Sequence, residues 1–234
     1  MNGQALLALQ LVDTQLDQLA GERKRLPERA ALSAATAQQT AWRAEDARLR
    51  TAAAAAAEEI AEAERHGAAL DTKRARLEAQ LKMVSTERQA DALSHEIETI
   101  RQQHSDLDDR ELAAMEAQSE AEVALDALGV GEDDVVVAVE MASADLDRAL
   151  ERLAADEAAL TARRAQAEAA LDGSEKATYD ALRARFGGIG IAQLEGRRCT
   201  GCHLDLSATE ADVVQRAPAD ELPECPHCGR LLVR

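Results

Sequence analysis

The shortage of large side chains is the feature that most limits what this chain can fold into. Only Trp42, Tyr179 and Phe186 are aromatic among 234 residues, although 46% of the chain is hydrophobic. Much of that hydrophobic fraction is alanine, which is too small to fill a globular core of this length. Alanine and leucine do suffice for the narrow seam of a coiled coil. The composition therefore predicts a mainly α protein.

Apolar residues recur at heptad spacing along most of the chain. In the first segment they are separated by 3, 4, 3 and 7 positions, which is the a/d pattern of a coiled-coil seam: Leu9, Val12, Leu16, Leu19 and Leu26. A single helix of about 170 residues would extend about 255 Å and leave this seam without a partner. We therefore predict a long antiparallel coiled-coil hairpin over residues 1–172.

The best candidate for the hairpin tip is the segment from Met83 to Gln89. Ser85 or Thr86 can cap a new helix, and Gln89 follows Thr86 at the spacing of a capping box. A turn near residues 83–87 divides the helical region into two arms of about 120 Å each. Arms of equal length allow nearly every seam residue to find a partner.

Two interruptions are expected within the arms. Pro27 lacks a backbone N–H and should kink or briefly break the first arm. Two glycines followed by an acidic cluster in residues 128–134 predict a break near 129–132, with the helix resuming near Asp133. The alternative for Val135–Val137 is an edge strand, because three consecutive valines favour extended backbone.

All four cysteines lie in the last thirty-six residues, as two CxxC pairs. Cys199 and Cys202 form the first pair, and Cys225 and Cys228 form the second after twenty-two intervening residues. Two such turns supply the tetrahedral set of four thiolates that Zn²⁺ accepts. We predict one structural zinc ion, with a redox dithiol pair or an iron site as alternatives. Four thiolates leave no position for water, so catalytic zinc is not expected.

The surrounding sequence predicts a small second domain over residues 173–234. Ser174 should cap a short helix whose Tyr179 and Phe186 form the core on which the domain docks. Its other expected elements are a strand after the glycine run 187–190, a strand at His203–Leu206, a helical turn capped by Ser207 and Glu210, and a strand at Arg230–Val233. Three short strands around four cysteines describe a β-type zinc ribbon.

No catalytic arrangement is predicted. His203 and His227 flank the cysteines, but a complete set of thiolates makes a histidine ligand unnecessary. No Ser/His/Asp grouping can be argued from spacing. The glycine run 187–190 matches neither of the common nucleotide-binding loop patterns. The protein is therefore not expected to be an enzyme or to take a small-molecule substrate.

The net charge of −17 is concentrated in the helical region. Residues 173–234 carry nine acidic and eight basic residues, so almost the whole excess lies in residues 1–172. An acidic helical surface is a poor ligand for nucleic-acid phosphates. Five arginines of the second domain are candidate contacts with nucleic acid or an acidic protein, or are simply solvated: Arg197, Arg198, Arg216, Arg230 and Arg234.

The start of the chain lacks the basic and apolar regions of a signal peptide, and no stretch approaches the roughly 20 apolar residues of a membrane span. We expect a cytoplasmic protein with no membrane contact, where reducing conditions keep thiols free for metal.

Four segments carry a resemblance to a known family: Leu6–Asp13, Val84–Ile97, Gly190–Leu194 and Cys225–Leu232. Together they resemble bacterial proteins with an N-terminal coiled-coil hairpin and a C-terminal C4-type zinc ribbon. The resemblance covers nearly the whole chain and implies an elongated adaptor. It also implies that some relatives serve flagellar or secretion machinery, handle a sigma factor or bind RNA. The glycine break at 129–131 and the lack of a lysine-rich coil depart from that pattern.

Three functions remain open at this point. The preferred one is a non-enzymatic adaptor, in which the hairpin offers its surface to partner proteins and the ribbon is a rigid docking head. The second is a nucleic-acid-binding regulator that uses the arginines around the cysteines. The third is an enzyme or redox protein, for which the sequence offers least.

Overall fold

The computed structural model describes residues 1–218 and 221–234. The described residues form six helices and one sheet of three short strands. In chain order these are α1 (Gly3–Lys24), α2 (Pro27–Leu81), α3 (Glu87–Gly129), α4 (Glu132–Ala169), α5 (Gly173–Arg185), β1 (Ile191–Glu195), β2 (Arg198–Cys199), α6 (Ala208–Arg216) and β3 (Leu231–Val233). The predicted fold class is confirmed, because a long helical hairpin precedes a small β-type domain that holds the four cysteines.

The chain divides into two compact units. The first contains residues 1–30 and 143–234, and the second contains residues 31–142. The first unit thus joins the chain's opening helix to the cysteine-bearing domain, and the second holds the helices that meet at the turn near residue 84. The domain boundary placed at residue 172 from the sequence stays a prediction.

In the second unit, α2 and α3 pack as an antiparallel pair. Leucine and isoleucine side chains near the turn form one cluster: Leu70, Leu77, Leu81, Leu93, Ile97 and Ile100. Farther from the turn most buried positions are small, among them Ala56, Ala63, Ala114 and Ala121, although Leu49 is also buried. Ion pairs cross the seam from Lys73 to Glu96 and from Arg110 to Glu59. Partner numbers rise on one helix as they fall on the other, as antiparallel pairing requires.

The turn between α2 and α3 uses a different cap from the predicted one. Thr86 is the N-cap residue of α3, but its side chain makes no capping hydrogen bond. Its hydroxyl instead donates to Oε1 of Gln89 at 2.7 Å. The two side chains that a capping box would direct at the backbone therefore satisfy each other, and the predicted capping box is absent.

Both expected interruptions occur. α1 ends at Lys24 and α2 begins with Pro27, the first helical position where a missing N–H costs least. α3 ends at Gly129 and α4 starts at Glu132. The indole N–H of Trp42 donates to the carbonyl of Leu128 at 3.1 Å and so satisfies a carbonyl next to this helix end. Val135–Val137 lies within α4, so the edge-strand alternative is wrong.

In the first unit, α1 packs against α4, and both contact the sheet or the short helix α5. Leu19 of α1, and Leu26 in the short link between α1 and α2, meet Leu146, Ala149 and Leu153 of α4. A second cluster joins the opening helix to the small domain through Leu6, Leu9, Tyr179, Ile191 and Val233. Tyr179 is fully buried there. The predicted role of the α5 aromatics as a docking core is confirmed for Tyr179.

The sheet has the order β2-β1-β3. β1 pairs antiparallel with β2 and parallel with β3, with Ile191 opposite Leu231. The strand predicted at His203–Leu206 is wrong: that segment contributes one isolated bridge, between Asp205 and Arg198. The reason is local, because His203 has a φ of +63° and bends the chain out of extended geometry.

Helix caps fix the ends of the small domain's helices. Asp172, not the predicted Ser174, caps α5, because its carboxylate accepts the N–H groups of Ser174 and Glu175 at 2.8 Å each. The capping box predicted at Ser207 and Glu210 is present at the start of α6. Among the described residues, none of the helices combines the length and apolar character needed to cross a bilayer.

Candidate metal centre

The four cysteine sulfurs converge at one place in the small domain. Their Sγ atoms all lie within 4.8 Å of one another, and the Sγ atoms of Cys202 and Cys225 are 3.9 Å apart. A tetrahedral site with Zn–S bonds of about 2.3 Å has sulfur–sulfur edges of about 3.8 Å. All four cysteines are free thiols rather than disulfides. The donor set and its spacing therefore fit one Zn²⁺ ion.

The two CxxC turns, here called the first and second knuckles, repeat one backbone design. In the first knuckle the N–H of His203 donates to the carbonyl of Cys199 at 2.8 Å. In the second, the N–H of Gly229 donates to the carbonyl of Cys225 at 2.8 Å. The donating residues have φ values of +63° and +71°. Each knuckle thus turns in the left-handed region immediately after its second cysteine.

The thiols differ in how readily they ionise. Burial raises the pKa of Cys199, and burial raises the pKa of Cys225 to about 12. Burial also opposes ionisation of Cys228, but hydrogen bonds from Arg230 and the neighbouring cysteines lower its pKa to about 7. A bound divalent cation favours the thiolate form of every ligand. Metal binding and ionisation of the buried thiols are therefore coupled.

Neither neighbouring histidine belongs to the sulfur cluster. Within the described part of the chain, the group able to hold a metal consists of the four cysteines alone. His203 is exposed at the bend of the first knuckle. The ring of His227 faces α6, with Nε2 4.0 Å from a carboxylate oxygen of Glu210.

The predicted arginines do not form one surface of free cations. Arg230 donates to the carbonyl of Ile189 at 2.8 Å, and its guanidinium lies 5.2 Å from the centroid of the Phe186 ring. Arg234 donates to the carbonyls of Gln215 and Pro218 at 3.0 Å each, at the end of α6. These two side chains support the domain internally.

The remaining three arginines are exposed. Arg216 pairs with Asp212 one helical turn earlier at 2.9 Å. Arg197 lies in the turn from β1 to β2, next to Gly196 with its φ of +63°, and Arg198 is the first residue of β2. Both members of this adjacent pair are exposed.

A buried polar network that the sequence analysis missed holds the small domain against α1. The carboxylate of Asp13 accepts hydrogen bonds from Arg164 and from the Tyr179 hydroxyl, both at 2.7 Å, and Arg183 pairs with it at 2.9 Å. The available signal was a polar pair, Gln10 and Asp13, inside an apolar helix turn.

Gln10 binds the backbone that enters β1. Its Oε1 accepts from the N–H groups of Gly190 at 2.8 Å and Ile191 at 3.3 Å, and its Nε2 donates to the carbonyl of Gly188 at 2.8 Å. Gly190 also allows this backbone to lie close against α5, since a Cβ there would lie 2.7 Å from Cβ of Leu182. Because β1 continues into the first knuckle, one α1 side chain helps to place the cysteines.

Comparison with known proteins places both parts of the chain. Residues 9–187 match the CT398-like coiled coil hairpin domain, and residues 198–232 match the C4-type zinc ribbon domain. The chain is 28% identical over 238 residues to the uncharacterized protein Rv2229c of Mycobacterium tuberculosis, with 98% of this chain and 94% of that protein covered.

Two solved structures have the same fold. A protein from Mycobacterium smegmatis superposes with a TM-score of 0.84 at 27% identity, covering 99% of this chain and 97% of that one. CT398 from Chlamydia trachomatis superposes with a TM-score of 0.79 at 20% identity, covering 98% and 95%. Together with the clustered sulfurs, the C4-type ribbon match confirms the predicted zinc cofactor.

Proposed function

The chain belongs to the CT398-like coiled coil hairpin family, with a C4-type zinc ribbon at its end, and from this premise we propose that it is a non-enzymatic adaptor of the bacterial cytoplasm. Its helical hairpin offers side-chain surface to partner proteins. Its zinc ribbon is a rigid docking head. A transcription- or secretion-related process is the setting that the resemblance to other hairpin-ribbon proteins implies.

The observation that carries the proposal is the junction between ribbon and hairpin. Asp13 and Gln10 of α1 hold α5 and the start of β1 through buried hydrogen bonds. Apolar side chains from both parts complete a shared core. A head joined in this way keeps a fixed orientation on α1, which suits a domain that serves as a docking surface.

The zinc centre itself supports a structural role. Four thiolates complete the tetrahedron, so no coordination position remains for water or substrate. Cys199 and Cys225 are buried, which shields the centre from exchange with solvent thiols. The ribbon surface beside the second knuckle combines apolar Val213 and Pro226 with acidic Glu224. Such a surface favours a protein partner over phosphates, which require cations.

Nucleic-acid binding is the second candidate, favoured by the exposed pair Arg197 and Arg198. It requires that the full chain bind RNA or DNA with an affinity that falls steeply as salt rises. Reversal of both charges to glutamate should then abolish binding, whereas Arg216→Glu should preserve it. If nucleic-acid binding does not depend on salt, or is unchanged when Arg197 and Arg198 are both replaced by glutamate, nucleic-acid binding through this pair is ruled out.

The adaptor proposal is tested by affinity capture from the native lysate of the host bacterium, with and without nuclease. The full chain is compared with Cys228→Ser, which should lose the folded head. Protein partners that survive nuclease support the adaptor, and the subset lost with Cys228→Ser docks on the head. Loss of every partner after nuclease overturns the adaptor in favour of nucleic-acid binding.

A further inference from the structure

In the second unit, α3 and α4 each expose large apolar side chains along the helix. Leu112, Met115 and Val123 of α3 and Val137 and Met141 of α4 are each between 47% and 66% exposed. At about 100° per residue, the three α3 side chains fall within an arc of about 80°. We call these five residues the outer stripe.

The outer stripe is separate from the hairpin seam. Ala114 and Ala121 are the buried positions of this part of α3. By helical geometry they lie about 160–180° around the helix from Leu112 and Val123, and about 100–120° from Met115. The stripe therefore faces away from α2 and has no partner within the second unit. Exposed apolar side chains aligned along a helix mark an interaction surface more often than isolated ones do.

Charge identifies the kind of partner. Residues 111–141 contain nine Asp and Glu residues and no Lys, Arg or His. In the part of the chain that the structure describes, none of these nine carboxylates has a Lys or Arg nitrogen within 4.0 Å. Elsewhere on the same helices acids do pair, as Glu96 of α3 does with Lys73 and Glu157 of α4 with Arg23. Glu132 acts only weakly on Arg50, whose pKa is raised mainly by Asp46.

We propose that the outer stripe with its flanking acids docks a basic amphipathic helix of another protein. Apolar anchors spaced three, four or seven positions apart are what such a helix presents on one face. Lysines and arginines on its flanks would meet the unpaired carboxylates, which strengthens and steers binding. A second copy of this chain does not fit, since it would bring nine more acids to the same contact. Nucleic acid does not fit the outer stripe either, because its phosphates would be repelled by the flanking carboxylates.

This inference rests on the adaptor function and specifies the partner of its hairpin. The probe is a pair of synthetic helical peptides with identical leucine positions, one carrying lysine and the other glutamate at every polar position. Binding to the full chain is measured by fluorescence anisotropy at low and moderate salt. The lysine peptide should bind and the glutamate peptide should not, with affinity that weakens as salt rises.

Location is tested with matched variants. Met115→Ser combined with Val123→Ser should lower affinity for the lysine peptide about tenfold, because two apolar anchors are lost. Leu11→Ser combined with Val213→Ser removes two equally exposed apolar side chains elsewhere and should change little. Glu116→Lys with Glu120→Lys should weaken binding strongly, whereas Glu62→Lys with Glu64→Lys on α2 should not.

If the stripe variants and their controls lose the same affinity for the lysine peptide, the inference is overturned, because the peptide then responds only to the overall charge of the chain. If the chain self-associates and the Met115→Ser, Val123→Ser variant does not, the outer stripe binds a second copy of the chain and the inference is overturned. If the lysine peptide does not bind but protein partners are still captured after nuclease treatment, only the assignment of the outer stripe as the docking surface is wrong. Loss of all protein partners removes the adaptor function as well.

Discussion

Asp13 and Arg164 are 151 positions apart in the chain, and Nε of Arg164 donates to Oδ1 of Asp13 at 2.7 Å. Asp13 is 2% exposed and is also bound by Tyr179 and Arg183. One buried carboxylate therefore fastens α1 to α4 and α5. A buried charge is tolerated only while its partners are in place, so the position of the ribbon depends on three helices together.

Replacing Asp13 with alanine should destabilise the first unit by about 3 kcal/mol, because it removes the buried carboxylate that two guanidinium groups and the Tyr179 hydroxyl share. Urea unfolding followed by circular dichroism measures the change. Asp17→Ala is the control: that carboxylate pairs with Arg183 at 2.7 Å but is largely exposed, so its loss should cost less than about 1 kcal/mol. Equal costs for the two variants would contradict a buried anchor.

Tyr179 should make the fold sensitive to alkali. Burial first, and then the hydrogen bond to Asp13, raise the pKa of Tyr179 well above its usual value. The unfolded chain releases this proton near pH 10, whereas the folded chain retains it. Stability is thus intact below about pH 10 and falls by up to about 1.4 kcal/mol per pH unit above it.

This is the only tyrosine, so tyrosinate absorbance reports its ionisation directly. Ionisation and unfolding should occur at the same pH, and Tyr179→Phe should show a weaker loss of stability above pH 10. A tyrosine that titrates near pH 10 in the still-folded protein would refute the prediction.

The sequence was most informative where few arrangements satisfy the chemistry. Four cysteines in two CxxC turns admit few solutions, and the structure brings Cys199 and Cys228 into one cluster. The heptad seam and the break at Pro27 are similarly local signals, because helix periodicity and the missing proline N–H act within a few residues.

Features that depend on distant partners were not predictable. Nothing near Asp13 in the sequence identifies Arg164 or Tyr179 as its partners. The sequence suggests that Arg230 is a surface cation, whereas in the structure its guanidinium lies over the Phe186 ring. The strand expected at His203–Leu206 fails because a histidine there adopts the left-handed conformation, which sequence patterns assign to glycine or asparagine.

Gly190 should not tolerate a side chain. An added Cβ would lie 2.7 Å from Cβ of Leu182 and 2.9 Å from the backbone nitrogen of Arg183. Since backbone atoms cannot rotate away, Gly190→Ala should separate β1 from α5 and cost about 1–3 kcal/mol in thermal unfolding. Gly173→Ala meets nothing within 4 Å and should be neutral or stabilising. A Gly190→Ala variant as stable as the parent would show that the contact with α5 is loose.

The left-handed residue of each knuckle allows a paired test. Gly229→Ala should destabilise the ribbon by about 1 kcal/mol, because a Cβ is disfavoured at a φ of +71°. His203→Gly relieves the same penalty and should stabilise the metal-bound ribbon by about 0.5–1 kcal/mol, after the greater entropy of glycine in the unfolded chain is subtracted. When zinc release to a chelator is measured, Gly229→Ala should therefore release zinc more readily than the parent, and His203→Gly less readily. If both variants instead release zinc more readily, the His203 side chain makes a contact that compensates for its left-handed backbone.

Zinc should be required for folding of the ribbon but not of the helices. The buried core around the sulfurs consists of eight small or medium side chains without an aromatic ring: Ala192, Leu194, Cys199, Leu206, Ala211, Val214, Cys225 and Leu232. A core of this size does not offset the chain entropy of the segment that it orders. Metal binding supplies the missing free energy, as in other small zinc domains.

The purified chain should therefore contain one zinc ion, and Cys228→Ser should lose it. Limited proteolysis should then cut the segment after β1, while circular dichroism still reports α1 to α4. The start of β1 should resist longest, because Gln10 holds Gly190 without help from the metal. His227→Ala changes an exposed neighbour of the ligands and should keep its zinc. If chelation leaves the segment after β1 as resistant to protease as before, the metal does not hold the ribbon together, and the rigid head of the proposed adaptor loses its physical basis.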